Sequence, residues 1–195
     1  LVSITFHNTE QQIAANERAA LLRNLNAIIP RKLYDNDIIN DTLTVTDKRL
    51  GGSDPVTIYR ARKRGKPVSA IFTSIAPDGY NGKIKLLVAV NTDSSLAGVR
   101  VVTHKETPGL GDNIEENRSD WILDFTGKSL HNPEQPQWTV KRDGGAFDQF
   151  TGATITPRAV VKAVKNTLLY FQQHQTDVFA PGGQRLNQTQ SEEAK

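Results

Sequence analysis

The sequence predicts an α+β fold in which a mostly antiparallel sheet is flanked by helices. Five short strand-like runs follow one another without a helix between them, and turn sequences separate them. One amphipathic helix precedes these runs and a second follows them. Consecutive strands at hairpin spacing pair antiparallel, and an amphipathic helix must bury its apolar face, so we expect the helices to pack on the sheet.

The first helix is predicted from Glu10 to Ile29, where apolar residues recur at helical spacing, and Pro30 ends it. The strand-like runs begin at Leu43, Val56, Val68, Lys83 and Leu96. Their separators, GGSDP, RGKP, PDGYNG and NTDSS, are rich in residues that form turns.

The second half of the chain predicts a short helical piece from Trp121 to Phe125 and a further strand at QWTVKR, 137–142. The last helix is predicted from Pro157 to His174, and its apolar positions form one face that can cover a sheet. Residues 181–195 are polar and are predicted to be a disordered tail.

The composition restricts the class of protein. At 195 residues the chain can form one domain with extensions. No stretch approaches the roughly 20 consecutive apolar residues that span a bilayer. The chain has no cysteine, which excludes disulfides, thiolate metal sites and a cysteine nucleophile. It also has no methionine, even at position 1, so we expect that the natural N-terminus precedes residue 1.

The most basic stretch is RARKRGK, 60–66. We expect it to form an exposed hairpin with Gly65 in the turn and its charges on the solvent side. Docking to an acidic redox partner or to anionic lipid is the alternative. No aromatic residue lies among the charges to stack on bases, so nucleic-acid binding is disfavoured.

Three threonines precede the last helix within six residues, namely Thr151, Thr154 and Thr156. Thr156 followed by Pro157 has the pattern of an N-cap with proline at the first helical position. Gly152 and Ala153 precede Thr154, and such small residues let the backbone approach a ligand beside the positive end of a helix dipole. By itself this segment is typical of an ordinary loop-to-helix junction, with a phosphate site as the alternative.

The segment HKETPGLGD, 104–112, follows the fifth strand. Its glycines serve either a plain turn or a close approach to a ligand. His104 and Glu106 lie two residues apart, on one face of a continuing strand, and could form half of a metal site. No further cluster of His or carboxylate residues completes it, so we predict no metal.

Both segments resemble those of a known family. Asp148, Thr151, Gly152, Ala153 and Thr154 match the pattern Asp, two residues, Ser or Thr, Gly, Ala, Thr that a dedicated flavin transferase recognises. HKETPGLGD resembles the hallmark loop of the FMN-binding domain in the G subunit of Rnf electron-transport complexes. The similarity extends in order over about residues 43–171, through APDGYNGKIKLLVAV, SDWILDFTGK and VKRDGGAFDQFTGATITPRAVV. The C subunit of sodium-pumping NADH:quinone reductase is a more distant relative.

The resemblance implies that FMN is transferred from FAD to Thr154 as a phosphoester, and that Asp148 serves recognition by the transferase. No His or Lys lies within five residues of Thr154, which makes self-attachment unfavourable. Further flavin contacts are implied at Glu106, Thr107, Gly109, Leu110, Gly111, Thr151, Gly152 and Ala153. Lys141 is a candidate to hold negative charge and Tyr80 to contact the ring; an exposed lysine and a tyrosine packed at a hairpin end are the alternatives.

The resemblance also implies a cellular context. The chain would be an electron relay without independent catalysis, in a membrane-bound complex that moves electrons between ferredoxin and NAD while pumping ions. Residues 1–30 would follow a missing N-terminal membrane anchor, residues 31–180 would form the FMN-binding domain, and that domain would lie on the periplasmic side of the inner membrane. A non-redox module that holds a free phosphorylated ligand at TGAT is the alternative function.

Overall fold

The computed structural model describes residues 2–181 and 186–187, with side chains from 11 to 181. Two long helices flank one sheet, with the bounds α1 Val2–Ile28, β1 Thr42–Thr46, β2 Val56–Lys63, β3 Lys66–Gly79, β4 Gly82–Asn91, β5 Leu96–Thr103, α2 Ile155–Phe179 and β6 Leu186–Asn187. The strand order is β5-β4-β3-β2-β1-β6. Strands β1 to β5 pair antiparallel, and β6 is parallel to β1. The predicted α+β fold is confirmed.

Each face of the sheet is covered by one helix. Successive strand residues point to opposite faces of the sheet, so neighbouring residues of β3 contact different helices. Phe72 packs with Tyr170 and Phe171 of α2 in edge-to-face contacts, with ring centroids 6.1 and 6.2 Å apart. Its neighbour Ile71 belongs to a second buried cluster that includes Leu25 of α1. Burial raises the pKa of Tyr170 to about 12, so its ring remains neutral in the core.

The end of α1 and the beginning of α2 lie within two residues of the predicted positions, whereas α1 begins eight residues earlier and α2 ends five residues later than predicted. α1 ends at Ile28, close to the predicted stop at Pro30. α2 begins at Ile155, runs to Phe179 and contains one non-helical residue, His174, with φ −122° and ψ 16°. Among the described residues, no helix is both long and apolar enough to cross a membrane. Most of the predicted tail, 182–185 and 188–195, lies outside the described residues.

The strand predicted at QWTVKR is wrong. The segment instead contains the ends of two short 3-10 helices, Gln135–Gln137 and Lys141–Asp143, with one isolated bridge between Val140 and Phe147. Trp138 is buried, and its indole N–H donates to the carbonyls of Ser129 and Pro133, both at 3.0 Å. Packing of this side chain therefore determines the backbone path in place of strand pairing.

The basic run forms the predicted hairpin, with Arg64 and Gly65 at positive φ in its turn. The expectation that all its charges face solvent is wrong, because Arg60 is 5% exposed. The Nε atoms of Arg60 and Arg62 lie 2.6 and 2.8 Å from the two carboxylate oxygens of Asp41. Arg60 also donates to the carbonyl of Ala180 at 2.9 Å, so these cations hold β2 to the end of α2.

Removing this carboxylate should destabilise the fold. Asp41→Ala leaves Arg60 buried without its anion, and we expect the free energy of unfolding to fall by roughly 2–4 kcal/mol. The loss is limited because the carbonyls of Val178 and Ala180 still accept hydrogen bonds from Arg60. The matched control is Asp54→Ala, whose partner Lys83 is 58% exposed and whose loss should cost less than about 1 kcal/mol. Chemical denaturation checks this, and equal losses in the two variants would contradict it.

Candidate functional site

The two segments singled out in the sequence meet at one cavity of about 280 Å³. It lies between the tip of the β3–β4 hairpin, the loop that follows β5, and the beginning of α2. Its lining residues are Tyr80, Glu106, Thr107, Leu110, Gly111, Gly152, Ala153, Thr154, Ile155 and Thr156. Residues some forty positions apart in the chain therefore share one surface.

Glu106 joins the three parts of this site. It is 5% exposed, and its carboxylate accepts hydrogen bonds from the backbone N–H of Tyr80 at 3.1 Å and of Asn81 at 2.9 Å. The Thr156 hydroxyl in the first turn of α2 donates to the same carboxylate. Both oxygens are thus occupied by protein donors, which is what a buried carboxylate requires.

Two glycines let the backbone come close to this carboxylate. A Cβ at Gly111 would lie 2.8 Å from the Thr156 hydroxyl oxygen and 2.9 Å from the Glu106 Cβ. A Cβ at Gly79 would collide with the carbonyl of Gly82 and lie 3.0 Å from a Glu106 oxygen. Larger residues at either position would separate the hairpin or the loop from α2.

The segment before α2 is a tight turn held to the domain by aromatic contacts. The backbone N–H of Ala153 donates to the carbonyl of Phe150 at 3.1 Å, and Gly152 has φ +77°, which favours glycine. Trp121 packs edge-to-face on Phe150, with centroids 5.2 Å apart, and its indole N–H donates to the carbonyl of Asp148 at 2.9 Å. The turn therefore projects from a rigid base.

The three threonines have different environments. Thr151 is exposed and does not line the cavity. Thr156 is 1% exposed and its hydroxyl is bound to Glu106, so the predicted N-cap at Thr156 is wrong. Thr154 occupies the N-cap position, but its side chain makes no capping hydrogen bond. It lines the cavity and is partly exposed, which leaves its hydroxyl accessible.

Several of the predicted site residues do not line the cavity. They are Gly109, Thr151, Lys141 and Asp148. Lys141 lies in a 3-10 helix, and not on the predicted strand, and its Nζ is 2.6 Å from an Asp148 oxygen. Both side chains are more than half exposed. Sequence reasoning missed two lining residues, Ile155 and Thr156. Thr156 was assigned to the N-cap, whereas a large apolar residue between two threonines at a helix start was a usable signal for Ile155.

The mouth of the cavity is apolar, and its only charged lining residue is Glu106. Tyr80, Leu110 and Ile155 are 65%, 40% and 44% exposed, respectively. Outside the cavity, a hydrogen bond from Arg158 holds the pKa of Asp143 below its usual range and fixes the preceding segment to α2. Exposed apolar side chains that cluster at the mouth of a cavity are typical of a ligand-binding site.

His104 has a local structural role. Its Nδ1 accepts the backbone N–H of Glu106 at 3.0 Å, and its Nε2 lies 2.5 Å from a Glu115 oxygen. His104 thereby orients the loop that carries Glu106. Among the residues that the structure describes, no group of three or more His, Cys, Asp or Glu side chains is arranged to hold a metal ion.

A larger hollow of about 690 Å³ lies beside α1 and β5. Of the two sequence segments only His104 lines it, and the hollow is more open than the cavity at α2. We assign the candidate site to the smaller cavity because it joins both segments and contains an accessible hydroxyl.

Comparison with known proteins agrees with this assignment. The FMN-binding domain family matches residues 79–169, a range that contains every residue lining the cavity. The G subunit of the ion-translocating oxidoreductase complex of Pseudoalteromonas atlantica is 46% identical over 193 residues, covering 98% of this chain and 90% of that protein. This chain belongs to the G-subunit family of ion-translocating oxidoreductase complexes.

Other members of the G-subunit family show similar agreement. The protein of Shewanella oneidensis is 47% identical over 181 residues, which cover 92% of this chain and 85% of that protein. That of Vibrio cholerae (strain O395) is 47% identical over 175 residues, with 90% and 84% covered. The family resemblance read from the motifs is therefore confirmed, and an FMN-binding domain is confirmed with it.

The contact between Thr156 and Glu106 should contribute to stability, whereas the Thr154 hydroxyl should not. Thr156→Val keeps the shape of the side chain but removes one donor from a buried carboxylate, and we expect a loss of about 1–3 kcal/mol in the free energy of unfolding. Thr154→Val, which removes no capping hydrogen bond, should stay within about 0.5 kcal/mol of the parent. Urea denaturation of both variants checks this difference. A Thr154→Val protein that is less stable than Thr156→Val would contradict the prediction.

Proposed function

We propose that this protein is an electron relay that carries FMN covalently, through a phosphoester to Thr154. The observation that supports this most directly is the difference between the threonines. Thr154 combines accessibility, a place in the cavity and the absence of a capping hydrogen bond. Thr156 is buried and bound to Glu106, and Thr151 lies outside the lining.

The residues present fit a flavin. Thr154 lies at the edge of the cavity, and the exposed apolar side chains of Tyr80, Leu110 and Ile155 surround its mouth. Gly152 and Ala153 add little bulk beside the acceptor. Bound FMN supplies the electron-transfer chemistry, while these residues hold the ring and limit its contact with water.

The cavity lacks a free base for self-attachment. Glu106 is the only carboxylate in its lining and its oxygens accept three hydrogen bonds. Arg158, the nearest charged residue along the chain, is paired with Asp143 at 2.6 Å. An external flavin transferase therefore removes the Thr154 proton while the new oxygen–phosphorus bond forms, and AMP leaves as the phosphoanhydride bond of FAD breaks.

Asp148 has the properties of a recognition residue for that transferase. Its side chain is 59% exposed, lies outside the cavity and contacts Lys141. The backbone carbonyl of Asp148 accepts a hydrogen bond from Trp121, which holds this residue close to the acceptor turn. A second protein can thus contact the Asp148 carboxylate without disturbing the flavin site.

Within the complex, the other subunits would supply and accept the electrons. We place the FMN-binding domain on the periplasmic side of the inner membrane, joined through α1 to an anchor that precedes residue 1. α1 extends to Val2, while Leu25 near its C-terminal end is fully buried in the domain. A helix docked at one end and extended at the other suits a connection between a domain and an anchor.

Thr154→Ala should abolish covalent flavin without unfolding the domain. When the parent is co-expressed with a flavin transferase, its intact mass should increase by that of FMN less one water, and the variant should show no increase. Thr151→Ser, which keeps a hydroxyl residue at the position that the transferase pattern requires, is the matched control and should keep the full mass increase. A Thr154→Ala protein that still gains this mass would overturn the assignment.

Asp148→Asn should lower the flavinylated fraction, because the transferase loses a carboxylate that it recognises. Lys141→Gln removes the partner of the same ion pair but keeps that carboxylate, so its flavinylated fraction should equal that of the parent. The fraction is measured by intact mass after a fixed time with limiting transferase. Equal occupancy in Asp148→Asn and the parent contradicts the proposed role.

A further inference from the structure

We propose that this cavity is selective against free anions, because Glu106 gives it a net negative charge. It should bind a neutral flavin more tightly than a free phosphate monoester such as FMN, and hold FMN firmly only when the phosphate is also esterified to the protein. This inference rests on the proposed flavin function and identifies the residue that sets ligand specificity at the same site.

The first observation is the charge of the lining. Of the ten lining residues, Glu106 alone is charged, and none is Lys or Arg. The nearby Lys141 lies outside the lining, and its ammonium is 2.6 Å from Asp148. Arg158 is likewise paired, with Asp143. Sites that bind free phosphate commonly offer Arg or Lys side chains, which are absent from this lining.

The second observation is that three hydrogen-bond donors near the start of α2 already bind a carboxylate of the protein. The backbone N–H groups of Tyr80 and Asn81 and the Thr156 hydroxyl all point to the Glu106 carboxylate. The positive end of the α2 dipole lies at the same place, since Thr156 is in the first turn of the helix. A buried carboxylate of the protein itself therefore lies beside the N-terminus of α2, where an incoming anion would meet it.

The charge of the ligand then decides its affinity. A phosphate monoester carries between one and two negative charges at neutral pH, whereas a phosphodiester carries one and riboflavin carries none. Repulsion from a carboxylate that is 5% exposed is screened less by salt than repulsion between two exposed charges. Attachment to Thr154 thus lowers the charge that must enter the site and holds the flavin there despite the remaining repulsion.

The test uses the full chain with Thr154→Ala, produced without transferase, so that no covalent product forms. Riboflavin and FMN are titrated separately and binding is followed by flavin fluorescence. We expect riboflavin to bind about tenfold more tightly than FMN. Adding Glu106→Gln should bring the two affinities within about twofold of each other, chiefly by tightening FMN.

A second pair of variants keeps the test valid if Glu106→Gln does not fold. Leu110→Lys places a cation at the mouth of the cavity, and it should shift the preference toward FMN by several-fold. Val102→Lys adds the same charge at a residue that is 43% exposed and does not line this cavity, and the preference should stay unchanged.

Three results would overturn the proposal: tighter binding of FMN than of riboflavin to the Thr154→Ala protein, an unchanged preference in both Glu106→Gln and Leu110→Lys, or no measurable riboflavin binding. None of these depends on which threonine is the attachment site, because the assay contains no transferase. Failure of selectivity and failure of the Thr154 assignment are therefore distinguished, the latter by intact mass alone.

Discussion

The hydrogen bonds to the buried carboxylate of Glu106 determine how the site is assembled. They join the β3–β4 hairpin tip, the loop after β5 and the first turn of α2, three segments with no local reason to meet. A carboxylate that is 5% exposed needs these donors, and the donors in turn need an acceptor. Gly111 is required by the same contact, because a Cβ there would meet both Thr156 and Glu106.

This constraint separates structural from functional hydroxyl groups. The Thr156 hydroxyl donates a hydrogen bond to Glu106. A reaction at this hydroxyl would leave the buried carboxylate without one of its donors. Thr154, two residues earlier, lies at the helix start without a capping bond. The sheet and α2 provide the rigid support beneath, through contacts such as those of Phe72 with Tyr170 and Phe171. The covalent attachment that we propose requires this combination of a supported turn and one accessible hydroxyl.

Sequence patterns predicted the parts of the fold that local physics controls. The five strands, both helices and the hairpin at Gly65 follow from apolar periodicity and turn residues, and the acceptor and loop segments were recognised from their motifs. The predictions were wrong where contacts between residues far apart in the sequence determine the local structure. Thr156 has the sequence of an N-cap, but Glu106, fifty residues away, takes its hydroxyl. Arg60 belongs to a basic run, yet Asp41 and the end of α2 bury it. The strand predicted around Trp138 is absent from the structure, where the Trp138 side chain is buried in the core.

Peptide fragmentation tests the proposed phosphoester between FMN and Thr154. The protein is co-expressed with a flavin transferase and digested, and the peptide that contains all three threonines is fragmented in a mass spectrometer. We expect the mass of FMN less one water to appear first in fragments that include Thr154, and fragments ending at Ala153 to be unmodified. A modification located at Thr151 or Thr156 would contradict the assignment of Thr154 as the acceptor.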